Sequence, residues 1–232
     1  MASRTGELLE RLASGRIEIE GRLPGASNHT FLVRVDGGPL RAVYKPTAGE
    51  APLWDFPDGS LAGREVAAHE VAAELGWPNI PPTVLRDGPF GPGAVQRYID
   101  ADPGQHFFTL REERLDAFRP VALFDAVVNN ADRKGGHCLL GADGAIWLVD
   151  HGLCFHEEPK LRTVIWDFAG EPIPDALRGG LERMALDLQA ERLRALLTDA
   201  EIEATVDRAR RLLSEGRFPE PGPGRAVPWP PV

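Results

Sequence analysis

Three charged residues stand at the ends of otherwise apolar elements. Lys45 ends a strand, Asp132 lies in a loop after a long helix, and Asp150 follows the strand residues Trp147, Leu148 and Val149. A charge that ends an apolar strand points into a cleft, because the strand itself is buried. An amine and two carboxylates in a cleft are the residue types that hold an anion, a cation or a proton. Singly, each also has a plain structural reading, since an Asp after a strand is often a turn residue or a helix cap. A second group, His137, Cys138, His151, Cys154 and His156, is rich in metal-ligand types and raises a zinc hydrolase as a rival. Its spacing, His151-x-x-Cys154-x-His156, fits no common zinc pattern and leaves Lys45 idle.

The elements that must position these residues are legible from periodicity. Glu7 to Leu12 has helical spacing and stops at Gly15. Ile17 to Glu20 and Phe31 to Val35 alternate with period two, and Asp36-Gly37-Gly38 turns the chain into a returning strand, Leu40 to Lys45. Gly63 to Leu75 reads as a helix with Val66, Ala67, Val71 and Leu75 on one face and Gly76 as its C-cap. A second hairpin follows, Thr83 to Leu85 and Ala94 to Ile99 around Asp87-Gly88-Pro89. Strands, helix, strands make residues 1–99 one α+β unit. Beyond Asp100 the pattern predicts a long helix from Thr109, its cap, to Val128. Then come a polar loop, a third hairpin (Cys138 to Leu140 and Ile146 to Val149) and helices over 175–215. Residues 219–232 hold six prolines and read as an extended tail.

Composition narrows the class. The 232 residues are 43% hydrophobic and 26% charged, an ordinary globular balance. A net charge of −9 with no basic patch excludes a binder of nucleic acid or anionic membrane. There is no signal-peptide pattern, no apolar run approaches a membrane span, and two cysteines make no disulfide framework. A soluble cytoplasmic protein is expected.

Together the motifs match a pattern. Asp132-Arg133-Lys134-Gly135-Gly136-His137, a hairpin, and Asp150-His151-Gly152 resemble the catalytic and metal-binding loops of the phosphatidylinositol 3- and 4-kinase-like superfamily. The two aspartates are eighteen residues apart, as in that family. Val43-Tyr44-Lys45-Pro46 resembles the strand with the ATP-binding lysine. Arg64 to His69 resembles the helix with its glutamate partner in HipA-like and secretory casein kinases. Leu75-Gly76-Trp77, Ile80 to Thr83 and Gln96-Arg97-Tyr98-Ile99 are similar to the lead-in and hinge. The resemblance covers residues 25–155 and implies a two-lobed protein-kinase-like fold. Residues 1–99 would form an N-lobe of antiparallel sheet plus helix, residues 100–218 a mainly helical C-lobe, and 219–232 the tail.

The resemblance also assigns roles. Lys45, held by Glu65 rather than Glu70, would bind the phosphates of ATP, and Asp150 a divalent cation. Asp132 would orient or deprotonate the acceptor hydroxyl, Arg133 would pair with Asp132 or with phosphate, and Lys134 would stabilise the transferred phosphate. Ser27 and Asn28 would cover the phosphates, and the backbone of Gln96, Arg97, Tyr98 and Ile99 would face adenine. His137 stands where the family has its second metal ligand, an Asn, so the cation is Mg2+ or Mn2+ with an altered preference. An ATP-dependent phosphotransferase is the leading reading. A nucleotide-binding pseudokinase and an AMP transferase are the alternatives that share its fold. Between Asp150 and Pro172 acidic residues outnumber basic ones, which favours a protein hydroxyl or a neutral small molecule over a polyphosphoinositide.

Overall fold

The computed structural model describes residues 4–24, 28–187 and 190–232. Helix Arg4–Ser14 (α1) and strand Ile17–Arg22 (β1) lead into Phe31–Val35 (β2) and Arg41–Pro46 (β3). Between β2 and β3 the turn residues Asp36 and Gly37 both take left-handed backbone, φ 56° and 59°, the twist a tight hairpin demands. Strands Thr83–Gly88 (β4) and Gly91–Arg97 (β5) form the second hairpin. β5 also pairs with β3, fusing both hairpins into one antiparallel sheet of order β1-β2-β3-β5-β4. That pairing sets Lys45 opposite Ala94 and Val43 opposite Gln96. Leu8 and Leu12 of α1 pack on one face of the sheet with Val33, Val35, Tyr44 and Val95.

Helix Leu61–Leu75 (α2) ends on Gly76 in the left-handed conformation, φ 81°, as its C-cap reading requires. The sequence pattern gives α2 one apolar face, whereas the structure buries it nearly all round, with Arg64, Glu65 and His69 inside beside Val66 and Val71. The reason is that α2 is packed from two sides, by β4 and β5 and by helix Asp175–Asp187, here α5.

The long helix expected over 109–128 is broken. Phe107–Arg114 (α3) and Arg119–Val128 (α4) flank a 3-10 turn, Leu115–Phe118. Pro120 has no N–H and fits only the first turn of a helix, so a new helix starts there. Thr109 is not the cap: α3 opens at His106, and the Thr109 hydroxyl accepts the His106 N–H at 3.0 Å. Strands Cys138–Leu140 (β6) and Ile146–Leu148 (β7) form the third hairpin. Helices Ala190–Leu193 (α6) and Asp199–Glu215 (α7) follow α5, and Thr198 and Glu201 form a capping box at the start of α7. Side chains of α2, α4, α5 and α7 share the largest core, including Leu75, Phe124, Leu181, Met184 and Leu212.

The proline-rich segment lies against the molecule. Thr163 N–H and Trp166 Nε1–H donate to the Ala226 carbonyl, at 3.1 and 3.0 Å, and Gly135 N–H to that of Pro231 at 2.8 Å. Among the described residues no helix is long and apolar enough to cross a membrane.

Candidate active site

Lys45 sits on the last turn of β3 before Pro46 closes the strand. Its Nζ donates to Glu65 Oε1 of α2 and, at 3.1 Å, to Asp150 Oδ1 beyond β7. The amine and the acid that are 105 residues apart in sequence therefore meet. Glu70 has another partner, Arg192, at 3.2 Å. Burial pulls the Lys45 ammonium down, but Asp150 and Glu65 outweigh it and raise it, so the amine is charged. Lys45, against the cost of burial and with help from His137, holds the Asp150 carboxyl far below the usual range. Burial pushes the Glu65 carboxyl up against the pull of Lys45. The Asp150 backbone is left-handed, φ 62°, a conformation uncommon in a residue with a Cβ.

Asp132 is placed by Asn130, whose Oδ1 accepts the Asp132 N–H at 2.9 Å. Lys134 Nζ lies 3.1 Å from Asp132 Oδ2. Burial raises the Asp132 carboxyl, opposed by Lys134, which moves it toward accepting a proton. His137 Nε2 is 3.3 Å from Asp150 Oδ2, and burial lowers the imidazole to about 4, so it is neutral at pH 7.

Arg133 departs from its expected role. It is fully buried and pairs with neither Asp132 nor an open face. Its Nε reaches both oxygens of Asp125 at 3.1 Å, one terminal nitrogen donates to the Val149 carbonyl at 2.9 Å, and the other lies 2.8 Å from His151 Nε2. Asp125 also accepts from Asn130 Nδ2 at 3.0 Å. One buried carboxylate on α4 thus fixes the loop carrying Asp132 and, through Arg133, the loop carrying Asp150. Sequence reading missed Asp125; the available signal was a lone acid in the apolar run Val121 to Val128.

Lys45, Glu65, Asn28, Gln96, Arg97, Tyr98, Ile99, Asp132, Lys134, His137 and Asp150 all line one cavity of about 450 Å³. Leu23, Val43, Leu139 and Val149 supply apolar walls that the sequence reading did not name, and Thr30 and Glu50 add polar ones. Ser27 lies outside the described residues. Asn28 Oδ1 is occupied by the Ala51 N–H at 2.8 Å, so this side chain ties two loops together. At the end of β5, Arg97 N–H donates to Pro82 and Tyr98 N–H to Arg41, at 2.8 and 3.0 Å. Those two amides are spent, and the next amide along the chain is that of Ile99. The Gln96 side chain is buried and donates to Thr83 Oγ1 at 2.9 Å.

The His/Cys cluster does not converge. Among the described residues no group of three or more His, Cys, Asp or Glu could hold a metal ion. Cys138 and Cys154 are buried thiols, and burial pushes Cys138 up to about 12. The rival zinc reading, which the spacing already disfavoured, finds no ligand set among the described residues. What remains is Asp150 with His137 beside it.

No family model matches the chain. The fold is that of kinases. The Golgi casein kinase with Mn/ADP bound superimposes with a TM-score of 0.63 at 14% identity, over 91% of this chain and 75% of that one. The Helicobacter pylori proinflammatory kinase CtkA does so with a TM-score of 0.51 at 12% identity, over 88% and 94%. In sequence, phosphatidylinositol 4-kinase gamma 4 of Oryza sativa subsp. japonica is 27% identical over 64% of this chain and 31% of its own length. Protein Rv2133c of Mycobacterium tuberculosis (strain ATCC 25618 / H37Rv) is 40% identical, over 94% of this chain and 93% of its own. With that identity along nearly the whole length of both proteins, the chain belongs to the family of Protein Rv2133c.

Proposed function

We propose that this protein is an ATP-dependent phosphotransferase of the phosphatidylinositol 3-/4-kinase-like, HipA-like group, acting on a protein or small-molecule hydroxyl with Mg2+ or Mn2+. The carrying observation is that Lys45 bridges Glu65 and Asp150 in a cavity also lined by Asp132. Residues 1–99 are read as the ATP-binding lobe and 100–218 as the lobe of the catalytic and metal loops. The apolar walls suit an adenine ring and the Ile99 amide its edge. Lys45 holds phosphate oxygens, and Glu65 keeps the amine in place. Asp150, with His137, would hold the cation, which when bound neutralises charge on the phosphates. Asp132 orients the acceptor hydroxyl and takes its proton as oxygen bonds to the γ-phosphorus and the bond to the ADP oxygen breaks. Lys134 faces the transferred group beside Asp132. Arg133 acts at one remove, holding both loops from behind. Free, buried cysteines are consistent with the cytoplasm, where thiols stay reduced.

The test is nucleotide titration and γ-phosphate transfer with Mg2+ and Mn2+, comparing wild type with Lys45→Met and Asp150→Ala. Both variants lose nucleotide affinity or turnover by a factor of a hundred or more, on the order expected when a charge partner in such a site is removed. Binding and turnover equal to wild type in both would overturn the assignment. His137 in the place of Asn favours one second reading, a pseudokinase, which binds nucleotide without transfer and is indifferent to Asp132→Asn. Addition of AMP instead of phosphate would show in the mass of the product.

A further inference from the structure

A second cavity, of about 580 Å³, opens beside the loop between β3 and α2 and is lined by Trp54, Phe56, His156, Glu157, Thr198 and Glu201 among others. The Trp54 ring is 90% exposed although it has a large apolar area. Among the described residues Lys160 Nζ lies over this ring, 5.1 Å from its centroid, and that amine is neutralised by Asp55 at 3.1 Å. Glu201 is spent on buried Arg64. Glu157 is exposed, and its carboxylate has no partner among the described residues; the backbone of Glu158 is tied to Asn129 and His156, but its carboxylate is likewise unpaired. The unspent groups are thus an aromatic face and a carboxylate, the pair that recognises a guanidinium or ammonium.

The cavity shares a wall with the transfer site. Phe56 lines it and also packs against Leu61 and Ala131, and Ala131 is the residue before Asp132. Lys160, under Trp54, donates its backbone N–H to Asn129 Oδ1 at the start of the same loop.

We infer that the Trp54 cavity docks a cationic side chain, arginine or lysine, of a polypeptide acceptor. This inference rests on the phosphotransferase reading for its meaning, but the docking itself does not need nucleotide. An anionic acceptor is disfavoured at the same place, because Glu157 and Glu158 repel it.

The experiment uses three synthetic peptides with one serine, flanked by arginine, by glutamine or by glutamate, and myo-inositol as a small polyol. Binding without nucleotide is followed by anisotropy of labelled peptide, and transfer by labelled ATP with Mn2+. The arginine peptide binds best; Trp54→Ala weakens it about three- to thirtyfold, the range of a cation–aromatic contact, and Glu157→Gln about two- to fivefold, the range of an exposed charged contact. In transfer the same variants raise its KM by those factors and leave kcat and nucleotide affinity unchanged. Trp54 is exposed, so its removal does not threaten folding. The inference is overturned if the glutamate peptide binds as well, if both variants bind like wild type, or if only myo-inositol accepts phosphate. Arginine-peptide binding that depends on Trp54 in a protein that fails to bind ADP would keep the docking pocket and sink the phosphotransferase reading instead.

Discussion

Asp125 offers the strongest test of how the site is held. Its carboxylate is fully buried and is the counter-ion of fully buried Arg133, with three nitrogen–oxygen approaches of 3.1 Å. Asp125→Asn keeps the shape and removes the charge, leaving a guanidinium in the interior with only the Val149 carbonyl and His151 for company. Removing one partner of such a pair costs about 3–5 kcal/mol. For a chain of this size that is a fall in Tm of about 6–20 °C. Thermal unfolding followed by tryptophan fluorescence measures it, with the double variant Asp125→Leu/Arg133→Met as control. Replacing both charges by apolar groups recovers much of the loss, because the cost lies in the orphaned charge. Neither variant is expected to transfer phosphate at the wild-type rate. Asn130 loses the carboxylate that orients it and with it the brace on Asp132, and a small misplacement there costs on the order of a hundredfold. A Tm for Asp125→Asn within about 3 °C of wild type would refute the reasoning.

Other consequences are simpler. Burial lowers His69, His137 and His151 below their ordinary value, His137 to about 4. The unfolded chain therefore binds more protons than the folded one between pH 6.5 and about 4, and stability is full above that window and lost as pH falls through it. Denaturant midpoints at pH 7.5, 6 and 5 measure this, and His69→Gln flattens part of the fall; an unchanged slope would remove His69 from the account. A Cβ on Gly180 would stand 2.5 Å from the Leu75 carbonyl, where α5 meets the end of α2. Gly180→Ala is expected to destabilise by about 1–3 kcal/mol in the same assay, since backbone cannot yield as a side chain can. Cys138, with a pKa pushed up to about 12, and buried Cys154 stay unreactive to Ellman's reagent at pH 8 until the protein unfolds. Rapid labelling of native protein would contradict their burial.

Much of this protein was decided locally and could be read from its residues. Asp36-Gly37 makes a tight turn whatever lies around it, and Gly76 ends α2 because an L residue with a Cβ resists that backbone. The three charges at the ends of apolar elements were visible for the same reason: a short stretch suffices to see them. Pro120 carried a readable break signal inside the run 109–128, and the periodic pattern on both sides of it hid the interruption. What tertiary structure alone decided involves partners far apart. The β3–β5 pairing joins strands on either side of α2, and it carries Lys45 and residues 96–99 into one cavity. Nothing in its neighbours tells Arg133 that its charge is to be spent on Asp125, because the desolvation that forces the pairing exists only once both are enclosed. Nor does periodicity explain why Arg64 is buried on a helix: its partners, Glu201 and the Cys154 carbonyl, arrive from the start of α7 and from the loop beyond Asp150.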